Sequence, residues 1–156
     1  IALIIQEDIK NNLSDCISMD IDGVESATMY DSLSEGEYPA AIYDWTGQYP
    51  DPEAYLKPLL SCSEIVENIC KEGESVSGGS FWASKQVENL FQESDSLVGN
   101  YRLDNLLKIE KIASESIPYI PIWISSQKAW SQNKISKPIF NGSGIISLSD
   151  LELINE

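Results

Sequence analysis

Histidine is missing from this sequence, which removes Ser-His and Cys-His nucleophile pairs, imidazole-bound zinc and the commonest general base together. Basic residues are scarce as well. Ten lysines and arginines stand against 25 acids, a formal charge of −15. That balance leaves no basic patch for nucleic acid and disfavours anionic membrane surfaces. Cysteine is limited to Cys16, Cys62 and Cys70 with no C-x-x-C spacing, so the three cannot build a tetrahedral thiolate site. No metal and no cofactor is expected. Long apolar runs are absent too: nothing approaches the ~18 residues of a membrane span, and no signal peptide is recognisable. Enzyme readings therefore start behind binding readings.

What is present fits one domain over residues 1–156, long enough to bury about two-thirds of its unfolded surface. Ile1, Ile5, Ile9 and Leu13 fall on one helical stripe. No capping residue precedes it, which reads as a chain cut near an element boundary. Ile17, Met19 and Ile21 then alternate with Ser18, Asp20 and Asp22, predicting a strand with one polar face and Cys16 as a buried free thiol. Ser26 is placed to cap a short helix through Met29, Tyr30 and Leu33 that stops at Gly36, and residues 40–43 read as a buried strand. Helix, strand, helix and strand in this order imply an α/β fold with a crossover-connected parallel pair, hence a mixed sheet flanked by helices.

The densest stretch runs from Tyr43 to Tyr55. Asp51 is an N-cap with Pro52 at the first helical position, and Tyr55, Leu56, Leu59 and Leu60 form the apolar face of the helix, which Pro58 must shorten or kink. A loop leaving a strand end towards a helix N-terminus is where α/β proteins place ligands. Within it Trp45 and Tyr49 offer flat walls, Gly47 permits close backbone approach, and Thr46 and Gln48 offer hydrogen bonds. These five are the candidate ligand-binding residues; the competing reading is that Trp45 and Tyr49 plug the end of the sheet. Asp44 and Asp51 flank the same loop, and a carboxylate pair beside aromatics is what a glycoside hydrolase uses, although such pairs arise by chance in so acidic a chain.

Farther on, residues 61–80 mix glycine, serine and acids around Ile65, Val66 and Ile69 and read as a surface excursion. Ser84 caps a helix with Val87, Leu90 and Phe91, and residues 101–115 give a longer one through Leu103, Leu106, Leu107 and Ile112. Pro118 and Pro121 make residues 117–124 an extended segment at a sheet edge or crossing. Strand-like pieces at 138–140 and 151–154 surround an NGSG turn at 141–144. Trp82, Trp123 and Trp130 read as core or hinge packing. On one continuous helix Cys62 and Cys70 would lie about 12 Å apart, beyond the roughly 7 Å limit of disulfide Cα atoms. Helix and bridge therefore exclude each other, and both stay open.

Residues 45–60, WTGQYPDPEAYLKPLL, and residues 117–123, IPYIPIW, resemble two segments of the family 5 extracellular solute-binding proteins: W-x-x-D-Y-P-D-P-x-x-[FY]-L-x-P-L-[FL], and a helix followed by A-P-x-I-P-L-[WY]. Order and spacing agree. The resemblance covers nearly the whole chain but only the carboxyl-terminal part of a family member. It implies one lobe of a type II periplasmic-binding-protein-like fold, with the first lobe of the same receptor missing and residues 134–156 reaching towards it. It implies a non-enzymatic protein that traps a peptide or related polar solute between two lobes and delivers it to an ABC transporter permease. The location would be the periplasm or the outer face of the cytoplasmic membrane. An exported family also favours a Cys62–Cys70 bridge. Peptide-binding members carry an Asp where this chain has Gln48. Removal of the covering lobe predicts self-association through residues 117–124 and 151–154. The alternatives are a carbohydrate-active hydrolase using Asp44 and Asp51, and a lobe retained as a non-transport interaction module.

Overall fold

Serine at position 84 sets the start of the best-packed part of the molecule. In the computed structural model, which describes residues 1–142 and 144–154, the Ser84 hydroxyl accepts from the Val87 N–H and opens a helix over Lys85–Ser94. Its Val87, Leu90 and Phe91, at i, i+3 and i+4, are buried. They meet Leu106 and Ile109 of a second helix, Gly99–Ser116, to which the first is joined by a short turn. Leu60 closes this core from a third helix, Glu53–Leu60, and Leu56, Leu59, Trp82, Ile112, Ala113 and Tyr119 pack around it.

Numbered in chain order, the helices are α1 (Ala2–Asn12), α2 (Ser26–Glu35), α3 (Glu53–Leu60), α4 (Glu74–Ser77), α5 (Lys85–Ser94) and α6 (Gly99–Ser116), with a 3-10 turn at Leu148–Asp150. The strands are β1 (Glu64–Val66) and β2 (Ile69–Glu72). Among the described residues the chain thus combines helices with one small sheet, an α/β composition. That sheet is two-stranded and antiparallel, with a bulge between Glu64 and Ile65. Its turn residues Glu67 and Asn68 both have positive φ, 51° and 66°, the hand a two-residue hairpin needs. The expected irregular excursion is therefore a hairpin followed by α4, and since residues 62–70 are not a helix, Cys62 and Cys70 come within 5.7 Å at Cα and are joined by a disulfide. Glu88 of α5 accepts from the Cys62 N–H at 2.7 Å and ties the hairpin to the core.

The flanks differ from expectation. Among the described residues, 17–21 and 40–43 form no ladder, so the mixed sheet with a parallel pair is not present. The physical reason is that a strand is held by its neighbour: two residues suffice to connect an antiparallel hairpin, whereas a parallel pair must close a long crossover before any bond forms. Cys16, expected buried in such a strand, is exposed. Helix α1 forms but buries no residue, and α2 buries only Leu33. The cap of α2 is Glu25, whose carboxylate accepts from Ala27 and Thr28 N–H, instead of Ser26; Gly36 ends the helix in the left-handed region as read. On α6, Leu103 and Leu107 are exposed while Leu106 and Ile109 are buried.

The expected extended segment at 117–124 forms no strand: Ile117 caps α6 in the left-handed region, residues 118–119 bend, and the run that follows is unpaired, with Ile124 fully exposed at 100 %. Trp82 packs on the core, but Trp123 and Trp130 are exposed and contribute no core packing. The tail folds back as an irregular ribbon: Ser136 N–H donates to Glu152 O, Ile154 N–H to Lys134 O, and Ser147 N–H to Ile139 O. Ser143 of the expected 141–144 turn and the last two residues of the 134–156 tail lie outside the described residues.

Candidate ligand loop

The loop at 44–50 is fastened at both ends. On its entry side Tyr43 is half-buried and makes edge-to-face contacts with Tyr30 of α2 and with Tyr119, at centroid distances of 6.1 and 6.4 Å. The Tyr43 and Tyr119 hydroxyls both donate to the Gly78 carbonyl at 3.4 Å. Burial, with Tyr119 close by, pushes the Tyr43 phenol well above its usual range, so it stays neutral. Gly78 has no room for a side chain, because a Cβ there would collide with the Tyr119 hydroxyl.

On the exit side Asp51 is held from three directions. Its Oδ1 accepts the Glu53 N–H at 2.9 Å, which makes it the functional cap of α3 even though the helix is counted from Glu53. Its N–H donates to the Tyr49 carbonyl at 2.8 Å. Its carboxylate is gripped by Arg102 of α6, Nη1 to Oδ2 at 2.8 Å and Nη2 to Oδ1 at 2.9 Å. Nη2 also donates to Glu53 Oε2, and Lys57 donates to Glu53 Oε1 at 3.0 Å. Arg102 holds the Asp51 carboxyl below the usual carboxylate range, and the backbone bond from Glu53 adds to this.

Between these anchors the five sequence-predicted residues stay together on one loop. Trp45 and Tyr49 are 40 % and 51 % exposed, and Thr46 and Gln48 are exposed too. Gly47 is buried beneath the Tyr55 ring of α3; a Cβ at 47 would stand 2.5 Å from it. The close approach that glycine permits is therefore to Tyr55. Pro50 lies against Gly142 of the tail, where a Cβ would come within 3.0 Å. Two surface grooves lie elsewhere. One of about 290 Å³ runs between α5 and α6 past Gln86 and Lys111, and one of about 450 Å³ is lined by Trp130, Ile135, Pro138, Ile146 and Leu151. Among the described residues no cluster of three metal-ligating side chains occurs, and no helix is long and apolar enough to cross a membrane.

Sequence reasoning missed Arg102, Glu53 and the three-tyrosine cluster. One signal was available for the first: Arg102 is the sole arginine among ten basic residues, and a guanidinium is the cation suited to bidentate carboxylate pairing. Asp44, the other member of the candidate carboxylate pair, is exposed, while Asp51 is committed to Arg102 and to the helix cap. No protein-family model and no curated protein matches this chain.

Proposed function

We propose that the chain is the carboxyl-terminal ligand-binding lobe of a family 5 extracellular solute-binding protein, which binds a peptide or related polar solute and catalyses nothing. The observation that carries the reading is the 45–60 segment itself: residues resembling the family motif form one loop, fastened at both ends, that leaves Trp45 and Tyr49 open to a partner while Asp51 caps α3. Rigid aromatic walls bind at low entropic cost, since a fixed loop has little freedom left to lose. In the intact receptor the unpaired runs 17–21, 40–43 and 117–124 become strands of a larger mixed sheet in a type II lobe, and the other lobe closes over the loop. The closed form then docks on a permease at the outer face of the cytoplasmic membrane. The hydrolase alternative finds less support, because a general acid needs a raised pKa and Asp51 is shifted the other way.

Native mass spectrometry of the receptor purified from its producing cells tests this reading. A solute of peptide-like mass should copurify and be lost from Trp45→Ala and Tyr49→Ala variants. Solute-free protein that instead turns over glycosides, with turnover abolished by Asp44→Asn, would establish the hydrolase.

A further inference from the structure

We propose that Arg102 is the positioning residue of the 45–49 loop, holding it from α6 through Asp51 and Glu53; this rests on the reading that the loop meets the ligand. The link is short. From the guanidinium to the Tyr49 carbonyl there is one residue, Asp51, whose side chain accepts from Arg102 and whose N–H donates to Tyr49. Pro50, between Tyr49 and Asp51, has its φ fixed by its ring, so little slack remains in the connection.

The pairing is partly shielded from solvent. Side-chain exposures are 24 % for Arg102, 30 % for Asp51 and 11 % for Glu53. Its location follows from the core: Arg102 precedes Leu106 by four residues and Ile109 by seven, so the face of α6 that packs the core also aims the guanidinium at the start of α3. Helix α3 does not depend on the pair for its place, since Leu60, Leu56 and Leu59 hold it on the core and the Cys62 N–H just beyond it is bonded to Glu88. What depends on Arg102 is the position of Asp51. Without the guanidinium Glu53 would keep Lys57, which also pairs with Asp95, but Asp51 would have no cation, and repulsion between the two carboxylates would swing Asp51, and Tyr49 with it, away from α3. Lysine cannot substitute fully, because an ammonium is a point charge that makes no planar, two-toothed pair.

The test reads the loop directly. Protein labelled with 5-fluorotryptophan gives four ¹⁹F resonances, from Trp45, Trp82, Trp123 and Trp130, assigned by single Trp→Phe changes. In Arg102→Met the Trp45 resonance should shift or broaden while that of Trp82, packed on the core, stays in place, and Arg102→Lys should restore the Trp45 signal only in part. In parallel, calorimetry on the intact receptor with trialanine should show at least tenfold weaker binding in Arg102→Met. An unmoved Trp45 signal, or a Trp82 signal that moves as far, would overturn the proposal by showing a pair that serves general stability. Should Arg102→Met fail to fold, Asp51→Asn keeps the cap acceptor while removing the charge, and the same two resonances decide. If Trp45 alone moves but trialanine binds neither protein, the positioning role stands and the peptide reading of the loop falls.

Discussion

Residues 53–116 and the segments on either side of them use similar residue types to opposite effect. Of the ten buried apolar residues among those described, nine lie between Ala54 and Ile109, and only Leu33 lies outside. Before and after that block, isoleucines, leucines and tryptophans are plentiful but stand in solvent: Leu3 and Ile4 on α1, Ile120 to Ile124, and Trp130 at 87 %. The difference is one of partners. Helices α5 and α6 are joined by a short turn and need only each other and α3, whereas an isolated strand or a single amphipathic helix has nothing nearby to cover it. The central block is thus a packed core with the 44–50 loop attached to its edge, and the flanks carry exposed apolar residues.

Several measurements can break or sharpen that contrast. The largest effect is expected in the centre. Phe91→Ala should lose about 3–5 kcal/mol in urea unfolding, against under about 0.5 kcal/mol for Ile124→Ala, which is wholly exposed; equal losses would erase the distinction. Next comes the bridge, which closes a loop of eight residues' separation and should contribute about 2.5 kcal/mol. Alkylation followed by intact mass should find one reactive thiol, Cys16, in oxidised protein and three after reduction. Three reactive thiols in protein from an oxidising compartment would remove the bridge.

A smaller effect distinguishes two carboxylates by pH. Asp51 has a folded pKa below its unfolded value, so its contribution is present above the ordinary carboxylate range and is lost as pH falls through the folded value. Glu88 is shifted upward by burial, so its contribution is present in acid and is lost as pH rises through its folded value. Asp51→Asn should therefore flatten the acid limb of the stability profile. Glu88→Gln, which keeps an acceptor for the Cys62 N–H, should be within about 1 kcal/mol of wild type at neutral pH, or more stable. A marked loss in Glu88→Gln would mean that the charge is needed. For the flanks, light scattering should report self-association at millimolar concentration; a strict monomer would show that the exposed apolar residues need no cover.

How far the residues alone foretold this arrangement depended on whether a signal was local. Ser84 with Val87, Leu90 and Phe91 specified α5 because cap and stripe lie within eight positions, and Gly36 and Asp51 marked a helix end and a helix start for the same reason. The hairpin was obscured because its strands are three and four residues long with acids at the outer ends. On α6 a stripe through Leu103 and Leu107 was as plausible as one through Leu106 and Ile109, since only the facing α5 selects between them. The loop could be outlined as a contiguous stretch, but its fastenings could not. Arg102 lies 51 positions from Asp51, and the Tyr55 ring comes over Gly47 only once the chain has turned into α3.

The central claim, that residues 45–49 bind a peptide-like solute, is tested most directly at Gln48. A carboxylate at this position would pair with a ligand ammonium, whereas the neutral amide of Gln48 leaves that charge uncompensated unless Asp44 moves in. Calorimetry on the intact receptor should compare trialanine with its N-acetylated form in wild type, Gln48→Asp and Asp44→Asn. The account predicts that Gln48→Asp shifts preference towards the free amine at least tenfold, about 1.4 kcal/mol, and that any free-amine preference in wild type disappears in Asp44→Asn. A tenfold preference for the free amine in wild type that survives Asp44→Asn and is unaltered by Gln48→Asp would contradict it, because the ammonium would then be met away from this loop.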